Sequence, residues 1–151
     1  MKLYELVNKY HIGTDLSCAE SMFRACNEYY HLGLGEETRK MFSLMGIGMQ
    51  SGQSCCGAFT VAVGMIGLGT ARDGQIDREN QLGYEMVREL TDFVQNRFGT
   101  LRCSELQKLD VYGYDDPCYA VVEEIAKKLE EMTLYVVVGE ISKKLEEIIP
   151  E

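Results

Sequence analysis

From Cys55 to about Leu68 the chain is apolar nearly all round, with Gly57, Ala58, Ala62 and Gly64 as small residues. A helix of this kind has no face to offer water, so it belongs at the centre of a structure whose other elements pack closely against it. The flanking sequence supplies the wrapping. Leu3, Leu6, Val7 and Tyr10 carry the spacing of a short first helix that ends before Gly13. Cys18, Met22, Ala25 and Tyr29 recur at i, i+4, i+7 and i+11 and predict a second helix from about Cys18 to His31. Glu36 to Met45 reads as a third, followed by a flexible glycine-bearing stretch from Gly46 to Gln53. After a polar turn at Asp73-Gly74, Leu82, Met86, Leu90, Phe93 and Val94 mark a long amphipathic helix from Asp77 to Phe98, closed by Gly99. A short helix from about Leu101 to Leu109, a loop at Val111 to Asp115 and a last long segment from Pro117 complete the chain, with Val121, Val122, Ile125 and Leu129 on its apolar side.

The expectation is an all-α fold: a compact bundle of six to seven helices in one domain over 1–151, with 133–151 as a C-terminal extension. The extension carries a local repeat. Val122 to Met132 aligns with Val138 to Ile148 at eight of eleven positions. Two short copies are too few for a solenoid and read as a duplicated amphipathic helix. Between them, Tyr135 to Val138 has β propensity and offers a short strand instead.

Length and charge narrow the function. A chain of 151 residues can bury a sizeable core. A net charge of −9 argues against nucleic acid, whose affinity comes from clustered lysine and arginine, and against an anionic membrane surface. Met1 to Glu5 does not begin a signal peptide, and Ala58 to Leu68 is too short to span a bilayer. The expected location is cytoplasmic. There, six cysteines are free, metal-bound or transiently oxidised rather than locked in structural disulfides.

Four of those cysteines, Cys18, Cys56, Cys103 and Cys118, fall where helices are predicted to start. Backbone N–H groups and the partial positive charge of a helix start favour a thiolate over a thiol. Ser17 and Glu20 form a capping box ahead of Cys18. Ser54 precedes Cys55 and Cys56, Thr100 is a cap candidate before Cys103, and Asp116-Pro117 offers an acidic cap and a first-turn proline before Cys118. If the four starts converge they form a sulfur-rich redox or metal site, with helix N–H groups offsetting the charge of four thiolates. Soft sulfur ligands suit zinc or an iron–sulfur cluster. The bland alternative is that each cysteine is a small core hydrophobe.

Cys56-Gly57-Ala58, the glycine-rich run from Met45 to Gly52 before it, Met65 to Leu68 after it, and the flanking Cys18, Cys103 and Cys118 resemble the redox-active C-GCAxxG-C-C proteins. Leu16 to Glu20 is similar to their early cysteine-alanine signature and Phe98 to Leu106 to their third-cysteine region, so the resemblance covers roughly Leu3 to Leu129. It implies a small helical protein whose four cysteines act together in redox chemistry or metal binding. The chain is also similar to the non-haem portion of split-Soret cytochromes, but no C-x-x-C-H occurs for covalent haem. One position departs from the pattern, where Val61 replaces the final glycine. Cys26 and Cys55 lie outside the pattern. Cys26 reads as core, Cys55 either substitutes for Cys56 or packs, and a disulfide between adjacent Cys55 and Cys56 is strained.

Other residues carry weaker signals. His11 and His31 sit at helix ends without a ligand-spaced partner. Met45 and Met49 are candidates for lining a soft-metal site. Gly46-x-Gly48-x-x-x-Gly52 has no P-loop lysine and follows no strand. The leading expectation is electron transfer with an unidentified redox partner, using an iron–sulfur cluster on Cys18, Cys56, Cys103 and Cys118, with Arg102 supplying positive charge nearby. The alternatives are a metal-free thiol–disulfide enzyme or sensor, and a structural zinc protein or helical interaction module forming a homodimer.

Overall fold

In the computed structural model, residues 1–71 and 80–148 are described, with 134–148 described by backbone alone. Seven α-helices form among them: α1 (Leu3–His11), α2 (Cys18–Tyr29), α3 (Glu36–Phe42), α4 (Gly57–Thr70), α5 (Gln81–Phe98), α6 (Cys103–Leu106) and α7 (Pro117–Ile148). The all-α architecture is as the periodicity predicts, and no strand forms among the described residues. The nearest approach to one is an isolated antiparallel bridge between Cys55 and Arg102.

The core follows the apolar stripes. Leu3, Leu6 and Val7 of α1 meet Met22, Phe23, Ala25 and Cys26 of α2, Leu90 and Val94 of α5, and Val121, Val122, Ile125 and Leu129 of α7 in one buried cluster. Helix α4 touches α2, α5 and α7 and lies between them. Burial is denser in its first half, however, and in the second half Ile66 alone is buried. Ala58, Phe59, Val61 and Ala62 are buried, whereas Gly64 and Leu68 are exposed and a methyl group on Gly64 meets nothing within 4 Å. The small residues of the second half are therefore not explained by close packing. Val61, at the position of the family glycine, is fully buried.

Side-chain hydrogen bonds pin α1 along α7, with the Leu3 N–H donating to Glu130 Oε2 at 2.7 Å and Asn8 Nδ2 to Glu123 Oε2 at 2.9 Å. The C-terminal end of α1 is thereby brought to the start of α7.

Several boundaries differ from the sequence expectation. Helix α2 ends at Tyr29, since His31 has left-handed φ (53°). Helix α3 stops at Phe42 and not Met45. Asn80 caps α5 by accepting from the Gly83 N–H at 3.0 Å, so this helix begins at Gln81 rather than Asp77. The predicted turn at Asp73-Gly74 lies outside the described residues. Gly99, with φ of 79°, closes α5 as expected. Helix α6 is one turn, shorter than the expected Leu101 to Leu109. Tyr135 to Val138 is helical, within a single α7 that joins both copies of the repeat. Flanking Glu, Lys and Leu are strong helix formers, and extending an existing helix is easier than nucleating a strand without a partner.

The stretch expected to be flexible has a specific shape. Ile47, Gly48, Met49 and Gln50 have φ of 52°, 56°, 58° and 59°, four consecutive left-handed residues of which three carry side chains. Left-handed backbone costs an L-residue about 1–2 kcal/mol, so tertiary contacts must hold it. Among these left-handed residues Gly48 is closely hemmed in: a Cβ there would lie 2.7 Å from Cys103 Cβ and 2.8 Å from the Ser54 carbonyl. Gln50 Nε2 and Ser51 Oγ donate back to the carbonyls of Gly46 (3.2 Å) and Gly48 (2.9 Å).

Candidate functional site

Each of the four predicted cysteines stands at a helix start. Cys18 is the first residue of α2, behind the capping box in which Ser17 Oγ accepts from the Glu20 N–H (3.3 Å) and Glu20 accepts from the Ser17 N–H (3.0 Å). Cys56 occupies the cap position of α4, so Ser54 is not its cap. Cys103 opens α6, where the cap is Arg102 and not Thr100. Thr100 instead accepts from the Arg102 N–H at 3.1 Å. Cys118 follows Pro117 in α7, and Asp116 Oδ1 accepts its N–H at 2.8 Å, which is the predicted acidic cap.

The bridge joins two of these starts. The Cys56 N–H donates to the Leu101 carbonyl (2.9 Å) and the Cys103 N–H to the Ser54 carbonyl (3.0 Å). With Cys18 and Cys118 they line one cavity of about 190 Å³, whose wall also includes His11, Ile47 and Asp116.

The sulfurs are not equivalent. Cys18 accepts from the Cys56 thiol and from the backbone N–H groups of Ile47, Ala58 and Gly57, which together hold it down at about 6 against the opposing effect of burial. A charge-assisted donor set of this kind is what stabilises a thiolate. Gly57 makes the approach feasible, because a Cβ there would lie 2.8 Å from Cys18 Sγ and 2.8 Å from the Met45 carbonyl. Cys56 is pushed well up because its proton is held in the bond to Cys18, and because it is buried beside that charge. Burial and then the Cys18 charge raise Cys103. Burial, followed by the Asp116 carboxylate, pushes Cys118 up to about 12. Of the four, Cys18 alone is shifted towards the thiolate, and the other three are shifted towards the thiol.

Other expectations are corrected. Arg102 is exposed and lines a separate depression with Cys55, so it brings no positive charge to the cavity. Cys55 faces that depression and does not take the place of Cys56. Met45 packs partly against the core and Met49 is exposed; the cavity wall between them is Ile47. Cys26 is core, as read, and burial pushes its thiol up to about 12.

His11, set aside in the sequence as a helix-end residue, belongs to the cavity wall. Its Nδ1 is buried with no hydrogen-bond partner among the described residues, and burial lowers its pKa against the opposing pull of Asp116. Its ring meets Tyr119 edge-on at 5.2 Å. The Ile47 N–H was also missed, since no sequence signal marks a left-handed isoleucine.

The sequence model described as "Putative redox-active protein (C_GCAxxG_C_C)" matches residues 16–132. The chain belongs to this redox-active family. All four cavity cysteines of this C_GCAxxG_C_C protein fall inside the match, whereas His11 and the second copy of the repeat fall outside it. No curated protein and no solved structure matches the chain. No helix among the described residues is long and apolar enough to cross a membrane.

Four thiols around one cavity have the donor chemistry of a soft-metal site. Their spacing is less suited to a single ion: among the described residues, no three His, Cys, Asp or Glu side chains stand together as a metal-holding group.

Proposed function

We propose that this member of the redox-active family works through a two-cysteine couple, with Cys18 as the reactive thiolate and Cys56 as its partner. The observation that carries the reading is that Cys18 and Cys56 line one cavity, with Cys18 Sγ lying against the first residue of α4, where a Cβ on Gly57 next to Cys56 would stand 2.8 Å from it. Oxidation forms the Cys18–Cys56 S–S bond, releases the Cys56 proton and passes two electrons to an electrophilic oxidant, a disulfide or a peroxide, that reacts at Cys18. The thiolate is the nucleophile in such exchange, and a value near or below ambient pH keeps it populated.

The test is alkylation by iodoacetamide as a function of pH, with each cysteine followed by mass spectrometry. Cys18 is expected to react with a midpoint near 6, and mild oxidation to yield a Cys18–Cys56 disulfide. Reaction of Cys18 only above pH 8, with no such disulfide, overturns the reading.

A second reading, electron transfer through an iron–sulfur cluster, is favoured by the placement of all four cysteines on one cavity. Four cysteine thiolates would suffice as the ligand set of such a cluster. Cys18, Cys56, Cys103 and Cys118 are the residues available to hold it, and the cluster supplies one-electron chemistry when bound. Iron with stoichiometric acid-labile sulfide, in protein isolated without oxygen, supports this reading over the first.

A further inference from the structure

The cavity beside Cys18 is small, partly apolar and lined by no lysine or arginine among the described residues. Its volume of about 190 Å³ lies below the roughly 300–1,000 Å³ of pockets that hold drug-sized ligands. Leu16, Ile47, Leu106 and Val121 make part of the wall apolar. The titratable groups facing the reacting pair are His11, Cys103, Asp116 and Cys118, and no lysine or arginine lines the cavity among the described residues. An anionic disulfide such as glutathione disulfide would have to bring its carboxylates towards the Cys18 thiolate and Asp116 without a cationic partner, which the cost of desolvating unpaired charge opposes. A small neutral molecule with a weak bond between two electronegative atoms meets none of these barriers.

We propose that the Cys18–Cys56 pair reduces a small neutral hydroperoxide, an inference that rests on the reading of those two residues as the reacting couple. Cys18 Sγ attacks the terminal peroxide oxygen, so that an S–O bond forms and the O–O bond breaks. The departing alkoxide takes a proton from water and leaves as the alcohol. Cys18 is now a sulfenic acid, two electrons more oxidised. Cys56 Sγ then attacks Cys18 Sγ, the S–S bond forms, the S–O bond breaks, and hydroxide leaves with the Cys56 proton as water. The pair ends as a disulfide and the hydroperoxide as alcohol and hydroxide, the hydroxide carrying off the charge of the Cys18 thiolate and the water consumed in the first step being returned in the second. Cys56 is suited to this second step because it is buried on the same cavity wall as Cys18, whose sulfur lies against the adjoining Gly57, so no distant segment has to arrive before the sulfenic acid is captured.

The experiment mixes the full, reduced protein with one equivalent of cumene hydroperoxide under anaerobic conditions and follows the Cys18–Cys56 disulfide by mass spectrometry. Glutathione disulfide and the neutral hydroxyethyl disulfide are run beside it, and dimedone traps the sulfenic acid in Cys56→Ser. The disulfide is expected to form about tenfold faster than cumene hydroperoxide oxidises free cysteine at the same pH, a modest share of what holding the reacting groups in one cavity can supply. Glutathione disulfide is expected to be the slowest of the three, and dimedone to label Cys18. A hydroperoxide rate no greater than that of free cysteine, with hydroxyethyl disulfide still joining Cys18 to Cys56, overturns the hydroperoxide and leaves the couple standing. Failure of every oxidant to join them overturns both.

Discussion

Cys18 and Cys118 both stand in the first turn of a helix behind an oxygen-bearing cap, yet Cys18 is held at about 6 and Cys118 is pushed to about 12. The helix start is common to both, so it is not what separates them. Cys18 has a thiol and three backbone N–H groups acting on its sulfur, two of the three from the start of α4 at Gly57 and Ala58 and one from the left-handed turn at Ile47. Cys118 has burial and the Asp116 carboxylate that caps its own helix. The cap that stabilises the backbone thus works against ionisation of the side chain. The charge on a cysteine is set by the groups within hydrogen-bond reach of sulfur, and the helix start is at most a contribution to that set.

The sharpest way to break the contrast is Gly57→Ala. Its methyl group would lie 2.8 Å from both Cys18 Sγ and a backbone carbonyl, and overpacking of this kind costs about 1–3 kcal/mol. We expect a lowered melting temperature and a Cys18 alkylation midpoint moved most of the way to that of an ordinary cysteine, read by iodoacetamide titration with mass spectrometry. An unchanged midpoint would show that the N–H donors are not what holds the thiolate.

Cys56→Ala removes the largest single contribution to the Cys18 shift while keeping the backbone donors. The same titration should show the Cys18 midpoint rising by about one unit, a tenfold loss of thiolate below it. No rise would assign the shift to the backbone alone.

Stability should follow the charge. Cys18 lies at about 6 in the folded chain against an ordinary value of 9.0, so its stabilisation is full above pH 9, declines as pH falls, and is gone below pH 6. The advantage of the native chain over Cys18→Ser, measured by urea unfolding at successive pH values, is expected to grow from pH 6 to pH 9. A flat difference would mean that Cys18 titrates as an ordinary cysteine in the folded chain as well. Cys26 and Cys118, raised to about 12 by burial, act in the opposite sense and lower stability as pH rises above 9.

The smallest effect is expected from Asp116→Asn. Asparagine still caps the helix, so the fold should hold while Cys118 loses a neighbouring negative charge. Its alkylation midpoint should fall modestly, because burial, the larger cause, remains. A fall below that of free cysteine would make the carboxylate, and not burial, the dominant influence.

Much of the fold was legible because it depends on local pattern. The stripe Cys18, Met22, Ala25 and Tyr29, the Ser17–Glu20 box and the Asp116-Pro117 cap each lie within a few residues of what they specify, and all three form. What was missed is non-local. His11 reaches the cavity because α1 docks on α7, through a contact such as Asn8 to Glu123 across 115 residues of chain. Thr100 looked like a cap, but the bridge at Cys55 and Arg102 holds the following residues extended until Arg102 takes that position.

The sequence by itself determined that the chain is helical and that four sulfurs stand at helix starts, since side-chain periodicity and capping act over one or two turns. Only the tertiary structure decided which sulfur carries the charge. Its donors come from Ile47, from Cys56 and from Gly57 with Ala58, and the Ile47 N–H is in place only because distant contacts hold a left-handed backbone that isoleucine does not favour alone.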